Sequence, residues 1–303
     1  MSRRRTCRLS TDESPVEYPT WVPQHLFPFK LHFIDIDGCA VHYVDEGTGP
    51  VLLLLHGNPT WSFLYRDIIK GLKHRFRCIA PDYPGFGLSS ASPGYDFRPA
   101  THARILSEFS KRLKLEDISL MVQDWGGPIG LSLAIAEPNR FHRIIIGNTF
   151  AWPVQGDRHF EWFSEFVGGS VGRFAIRHFN AFVNILIPAG TPRRKLSTEI
   201  MNAYRGPFPN QDAREPTHIF PREIIQSSEF LNQVSNGLGR LSEHPALILW
   251  GDKDFAFREK ERKRFESLFR KSKTHILRGA GHYIQEDAAD EIVGQIKQWW
   301  DEK

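Results

Sequence analysis

The chain has 303 residues, 41% hydrophobic and 24% charged, with a formal net charge of +4. That length suits one large domain or a core domain with an insertion, and the composition is that of a soluble globular protein, not a fibrous or low-complexity one. The slight positive charge is too weak to imply a nucleic-acid partner, Cys7, Cys39 and Cys78 are too widely spaced for a disulfide framework or a metal site, and no apolar run reaches membrane-spanning length.

The N-terminus carries Arg3-Arg4-Arg5, read as a frayed tail, and lacks the apolar stretch of a signal peptide; with few cysteines, a cytoplasmic location is the expectation. FKLHFIDIDGCAVHYVD (29–45) alternates in polarity around Asp37-Gly38 and predicts a hairpin. Short apolar runs of the kind that suit strands buried on both faces follow: VLLLLHG (51–57), FRCIAPD (76–82), ISLMVQD (118–124), RIIIGNT (143–149), ALILWGD (246–252) and THILRGAGH (274–282). Helical patterns fall between most of them, at Ala100–Leu115, Gly127–Glu137 and Glu259–Phe269, and a last helix over Ala288–Trp300 closes the chain. REKERKRFE (258–266) mixes acids with bases and reads as a solvated helix face. The alternation predicts an α/β fold with a doubly wound, mostly parallel sheet of about eight strands and an antiparallel hairpin at one edge.

Between RIIIGNT and ALILWGD lie nearly a hundred residues without a convincing strand. GDRHFEWFSEFVGG, GRFAIRHFNAFVNIL, TEIMNAYRGPF and PREIIQSSEFLNQV are compatible with amphipathic helices, cut into short pieces by seven prolines. The reading is a helical cap over residues 152–234 that roofs an apolar pocket at the C-terminal edge of the sheet, with residues 1–151 and 235–303 forming the core.

Four motifs at predicted strand ends carry the chemistry. HGNP (56–59) follows VLLLL; in an α/β-hydrolase frame this loop supplies one oxyanion-hole N–H, here that of Asn58, with His56 bracing the loop. MVQDWGGPIG (121–130) reads as strand, sharp turn and helix, with Asp124 where the G-x-S-x-G pattern places serine and the N–H of Trp125 as the second oxyanion donor. Gly126 and Gly127 follow because the new helix runs so close to the strand that a Cβ would collide. GDKD (251–254) offers Asp254 as the acid that orients a histidine, with Asp252 as its rival; Asn148 closes the option of an acid after the preceding strand. Gly281-His282 supplies the base, completing the order nucleophile, acid, base.

A carboxylate nucleophile suits a bond at saturated carbon. Serine would leave an ether there, which water cannot cleave, whereas aspartate leaves an ester that a base-activated water hydrolyses. The leaving group is then a halide or an epoxide oxygen. An epoxide needs a proton, and epoxide hydrolases of this fold take it from two cap tyrosines; only Tyr204 falls in the cap segment. A halide needs N–H donors in a dry pocket, and the Trp125 indole and Asn58 amide supply them.

HGNPTWSFLYR (56–66), PDYPGFGLSS (81–90), VQDWGGPIGL (122–131), GAGHYIQED (279–287) and the cap segment YRGPFPNQDAREPTHIFPREI (204–224) resemble the haloalkane dehalogenase family over nearly the whole chain after about residue 20. Asp254 as acid, with Asn58 and Trp125 as halide donors, is similar to the subfamily with an Asp-His-Asp triad and an Asn-Trp pair. Other members take the second donor from a cap tryptophan, for which Trp152 and Trp162 are the candidates; Trp152 is read as the hinge to the cap. The resemblance implies attack of Asp124 on a small apolar haloalkane, halide release against Asn58 and Trp125, and ester hydrolysis by water activated by His282. It implies no metal, no organic cofactor and no nucleic-acid or membrane partner, and leaves the oligomeric state open. Epoxide hydrolysis is the alternative, followed by a cofactor-free oxygenase and by a catalytically inert receptor on the same frame.

Overall fold

The structure is a computed structural model that describes residues 18–302, so Arg3–Arg5 and Cys7 lie outside the described residues. Eight strands form one sheet: β1 (His32–Ile36), β2 (Cys39–Glu46), β3 (Val51–Leu55), β4 (Arg77–Pro81), β5 (Ile118–Asp124), β6 (Phe141–Thr149), β7 (Ala246–Gly251) and β8 (Ser272–Leu277). Their order is β1-β2-β4-β3-β5-β6-β7-β8, antiparallel through β1, β2 and β4 and parallel beyond. The hairpin turns at Asp37 and Gly38, both at positive φ, the conformation a tight two-residue turn needs. Every residue of β3, β5 and β7 is buried, as expected of central strands covered on both faces, whereas the edge strand β1 is largely accessible.

The helices α1 (Arg66–Leu72), α2 (Pro99–Arg112) and α3 (Gly126–Ala136) precede the insertion. No helix was expected between VLLLLHG and FRCIAPD, where α1, a seven-residue helix, is entered through a 3₁₀ turn, Ser62–Tyr65. The insertion holds α4 (Arg158–Gly168), α5 (Ser170–Phe179), a π-helical turn (Phe182–Leu186) running into the single turn α6 (Ile187–Ala189), α7 (Thr198–Arg205), α8 (Glu215–Gln226) and α9 (Ser228–Gly237). Two expectations here need correction. PREIIQSSEFLNQV is not one helix: it breaks at Ser227 into α8 and α9, and α9 packs on the core helix α3. Pro221 does not end a helix but sits inside α8. The chain closes with α10 (Glu259–Leu268), α11 (Ile284–Asp287) and α12 (Ala289–Asp301), the last packed against α1. On α10 the mixed charges pair along the helix, as Lys263 does with Glu259, although Glu261 turns inward to accept the Arg258 backbone N–H.

A buried charge cluster ties insertion to core. Glu286, in α11, takes both guanidinium nitrogens of Arg66, at 2.5 and 2.8 Å. The same carboxylate accepts the Tyr204 hydroxyl at 2.5 Å and a hydrogen bond from Arg194, both from the insertion. With three donors around it, its carboxyl stays below the ordinary glutamate range although burial alone would raise it.

Candidate active site

Strand β5 ends at Asp124, whose φ of +51° places it in the left-handed region, a strained position that costs about 1–2 kcal/mol for a residue with a Cβ. A register shift between β5 and β6 after Val122 opens the turn, and Thr149 Oγ1 donates to the Asp124 carbonyl at 2.5 Å, holding it. The close approaches that the turn demands are real: a Cβ on Gly126 would lie 2.3 Å from the Leu55 carbonyl oxygen, and one on Gly127 1.9 Å from Thr149 Oγ1. Gly57 matters equally, since a Cβ there would meet Asp124 Oδ1 at 2.2 Å.

The loop after β3 meets this turn. The Asn58 N–H donates to Asp124 Oδ1 at 2.7 Å. The other expected oxyanion donor, the N–H of Trp125, makes no hydrogen bond to this carboxylate among the described residues. His56 braces the loop from below: its Nδ1 lies 2.8 Å from the Gly57 carbonyl, its Nε2 accepts the Tyr83 N–H, and its ring lies against Tyr83. Asp82 does similar work one strand over, accepting the Ser62 and Leu88 amides and facing His42.

His282 reaches in from the loop after β8. Its Nε2 lies 3.6 Å from Asp124 Oδ2 and its Nδ1 3.0 Å from Asp254 Oδ2. Asp254 is itself fixed by the Ala256 N–H at 2.6 Å, while the rival Asp252 points away, accepting the Gly279 N–H and pairing with Arg278. Burial alone would lower the His282 pKa; the two facing carboxylates, Asp254 foremost, outweigh it and raise the pKa to about 10.

The sequence reading passed over Gln123. Its Nε2 donates to the His282 carbonyl at 3.1 Å and lies 3.1 Å from the ring Nε2, and its Oε1 is buried without a partner among the described residues. An amide N–H against Nε2 favours the neutral ring, opposing the carboxylates, but one dipole is weak beside two full charges. The only sequence signal was its place just before Asp124, a polar amide on a mostly apolar strand.

The pocket over these groups is apolar: Phe160, Phe163, Phe182 and Leu186 descend from the insertion, with Pro221 and Ile224 of α8 beside them. The cavity measures about 40 Å³, room for a small molecule only. Trp125 lies at the pocket wall between Phe150 and Phe220, and its indole N–H donates to no acceptor among the described residues. Asn58 Nδ2 uses one hydrogen on the Thr217 carbonyl of α8 at 3.1 Å, which leaves the other for a pocket ligand. Neither cap tryptophan lines the pocket: Trp152 packs on Phe265 and Arg264, and Trp162 is 62% exposed. Tyr204 is turned away onto Glu286, so the cap offers no tyrosine to protonate an epoxide. Among the described residues, no three His, Cys, Asp or Glu side chains converge as metal ligands would, and no helix is long and apolar enough to cross a membrane.

The family model described as the alpha/beta hydrolase fold matches residues 50–289. Haloalkane dehalogenase 2 of Mycobacterium tuberculosis is 42% identical over 273 residues, covering 89% of this chain and 95% of that protein. A cis-3-alkyl-4-alkyloxetan-2-one decarboxylase of Shewanella oneidensis is 33% identical, covering 91% and 90%. Among solved structures, the ancestral haloalkane dehalogenase AncHLD2 superposes with a TM-score of 0.81 at 32% identity, covering 89% of this chain and 98% of that one. Haloalkane dehalogenase DbeA from Bradyrhizobium elkani gives 0.81 at 30% identity, covering 89% and 96%.

Proposed function

Because the chain belongs to the haloalkane dehalogenases of the α/β-hydrolase superfamily, we propose that it hydrolyses haloalkanes to alcohol, halide and a proton, with Asp124 as nucleophile. The observation that carries the residue assignment is the Asn58 N–H already seated on Asp124 Oδ1 at 2.7 Å, with the other oxygen, Oδ2, facing His282. One carboxylate oxygen is thus held by an oxyanion donor while the other is free to attack.

In the first step Oδ2 displaces halide in line from the carbon, forming an Asp124 alkyl ester. The Trp125 indole and the second Asn58 amide hydrogen take up the leaving charge in a pocket of low polarity, where such donors act strongly. In the second step His282 removes a proton from water, and the hydroxide attacks the ester carbonyl, with the Asn58 and Trp125 amides receiving the oxyanion. The alcohol leaves and the carboxylate is restored.

Electrostatics sets the timing. In the resting site two carboxylates hold a proton on His282. Esterification removes the charge of Asp124, so the ring loses one of the groups that favoured its cation, gives up its proton to solvent as the proton product of the reaction, and becomes a usable base when a base is required. The small pocket favours short chains. The two described cysteines, Cys39 and Cys78, are free and buried, which supports a reducing compartment such as the cytoplasm.

A single turnover in ¹⁸O water tests the scheme. The label should enter the Asp124 carboxylate, detected in the peptide spanning residues 121–130, and Asp124→Asn should release no halide. Label found only in the alcohol would overturn it.

A second reading rests on the match to the oxetanone decarboxylase. An oxetan-2-one also carries its ring oxygen on saturated carbon, and a carboxylate that opens this bond expels another carboxylate, which needs no proton. A cis-3,4-dialkyl oxetanone assayed beside 1-bromobutane, with alkene and halide as readouts, separates the two.

A further inference from the structure

Proline in a helix interior removes the N–H that would bond the carbonyl four residues earlier, and its ring crowds that carbonyl. In α8 the proline is Pro221, and the carbonyl it orphans is that of Thr217. A buried carbonyl without a donor is costly, and here the Asn58 side chain makes up the loss: its Nδ2 donates to Thr217 O at 3.1 Å. Asn58 is only 4% exposed, and its Oδ1 is buried with no partner among the described residues. Nothing else on the amide therefore fixes which way it faces, and flipping it would set oxygen against the Thr217 oxygen.

From this we infer that Pro221 is a positioning residue for the halide site: by leaving the Thr217 carbonyl without its helical donor, it orients the Asn58 amide so that nitrogen, not oxygen, faces the leaving group. This rests on the reading of Asn58 as a halide donor. The contact joins the loop after β3 to a cap helix, so the arrangement also makes halide affinity depend on where α8 sits.

Pro221→Ala restores an N–H able to bond Thr217 O within the helix. Because alanine is far the better helix former, the variant should be at least as stable as the parent. The readout is the inhibition constant of bromide against 1-bromobutane turnover, measured for the parent, Pro221→Ala, Asn58→Ala and the double variant. Bromide binding should weaken by about 3- to 10-fold in Pro221→Ala, roughly the worth of one hydrogen bond, while the melting temperature holds or rises. In the Asn58→Ala background the proline substitution should change it by less than about twofold, since the residue it acts through is gone. Any effect of Pro221 on pocket shape alone would persist in that background. Equal effects in both backgrounds, or none in the parent, overturn the inference while leaving Asn58 as a donor. No effect of Asn58→Ala on bromide overturns the underlying halide reading instead.

Discussion

The floor and the roof of the pocket are built on different principles. The floor is polar and made of strand ends: Asp124, Asn58 and His282 sit on turns whose backbone is fixed by the sheet and by contacts such as Thr149 to the Asp124 carbonyl. The roof is aromatic and made of short helices, with Phe160, Phe163, Phe182 and Leu186 packed by shape alone. A reaction that needs atoms placed to within a few tenths of an ångström is carried by the first, and a choice among alkyl chains can be left to the second.

If that division holds, floor substitutions should change the chemistry and roof substitutions its selectivity. His282→Phe should show the largest effect, a loss of turnover of about 10⁴- to 10⁶-fold as seen when a triad member is removed, with the alkyl ester accumulating in the intact mass spectrum. Trp125→Phe keeps the bulk but removes the N–H, and should cost about 10²-fold in kcat/KM, more for chloride than for bromide as leaving group. A roof change, Leu186→Ala, should leave the best substrate within about threefold and move the optimum toward longer chains, with shifts near 10-fold across a bromoalkane series. Uniform loss across that series would break the comparison.

A separate test of the floor is stability against pH. The folded His282 pKa, about 10, lies above its unfolded value, so the bound proton stabilises the fold fully below about pH 6.5 and this contribution fades as pH rises through 10. The melting temperature should decline over that window, and Asp254→Asn, lacking one of the carboxylates, should flatten the decline. In the same protein the acid limb of kcat should fall well below pH 10, because the ester form lacks the Asp124 charge.

The floor was legible in the sequence because each of its residues lies at or just beyond the C-terminal end of a short strand, and Gly126 and Gly127 announce the tight turn. Asp254 could be preferred to Asp252 on position alone, and Asp252 indeed holds the Gly279 N–H. The roof was not legible to the same degree. Pro221 reads as a breaker when propensity is the guide, yet tertiary packing keeps α8 continuous through it, with Gly168 of α4 so close that a Cβ would meet the Arg222 nitrogen at 2.7 Å. Gln123, Thr149 and Thr217 escaped because each acts through a contact distant in sequence, 159 residues away for Gln123 and His282. A linear pattern holds no trace of such pairings.

The charge cluster at Glu286 has a consequence for any shortened form of this protein. Arg194 and Tyr204 belong to the insertion, while Glu286 and Arg66 stay in the sheet domain. Excising residues 152–234 would therefore strip a fully enclosed anion of half its donors and uncover the wall of α3 against which α9 lies. The lid of this enzyme is a structural member of the scaffold it covers, and a minimal version made by deleting it should precipitate instead of folding.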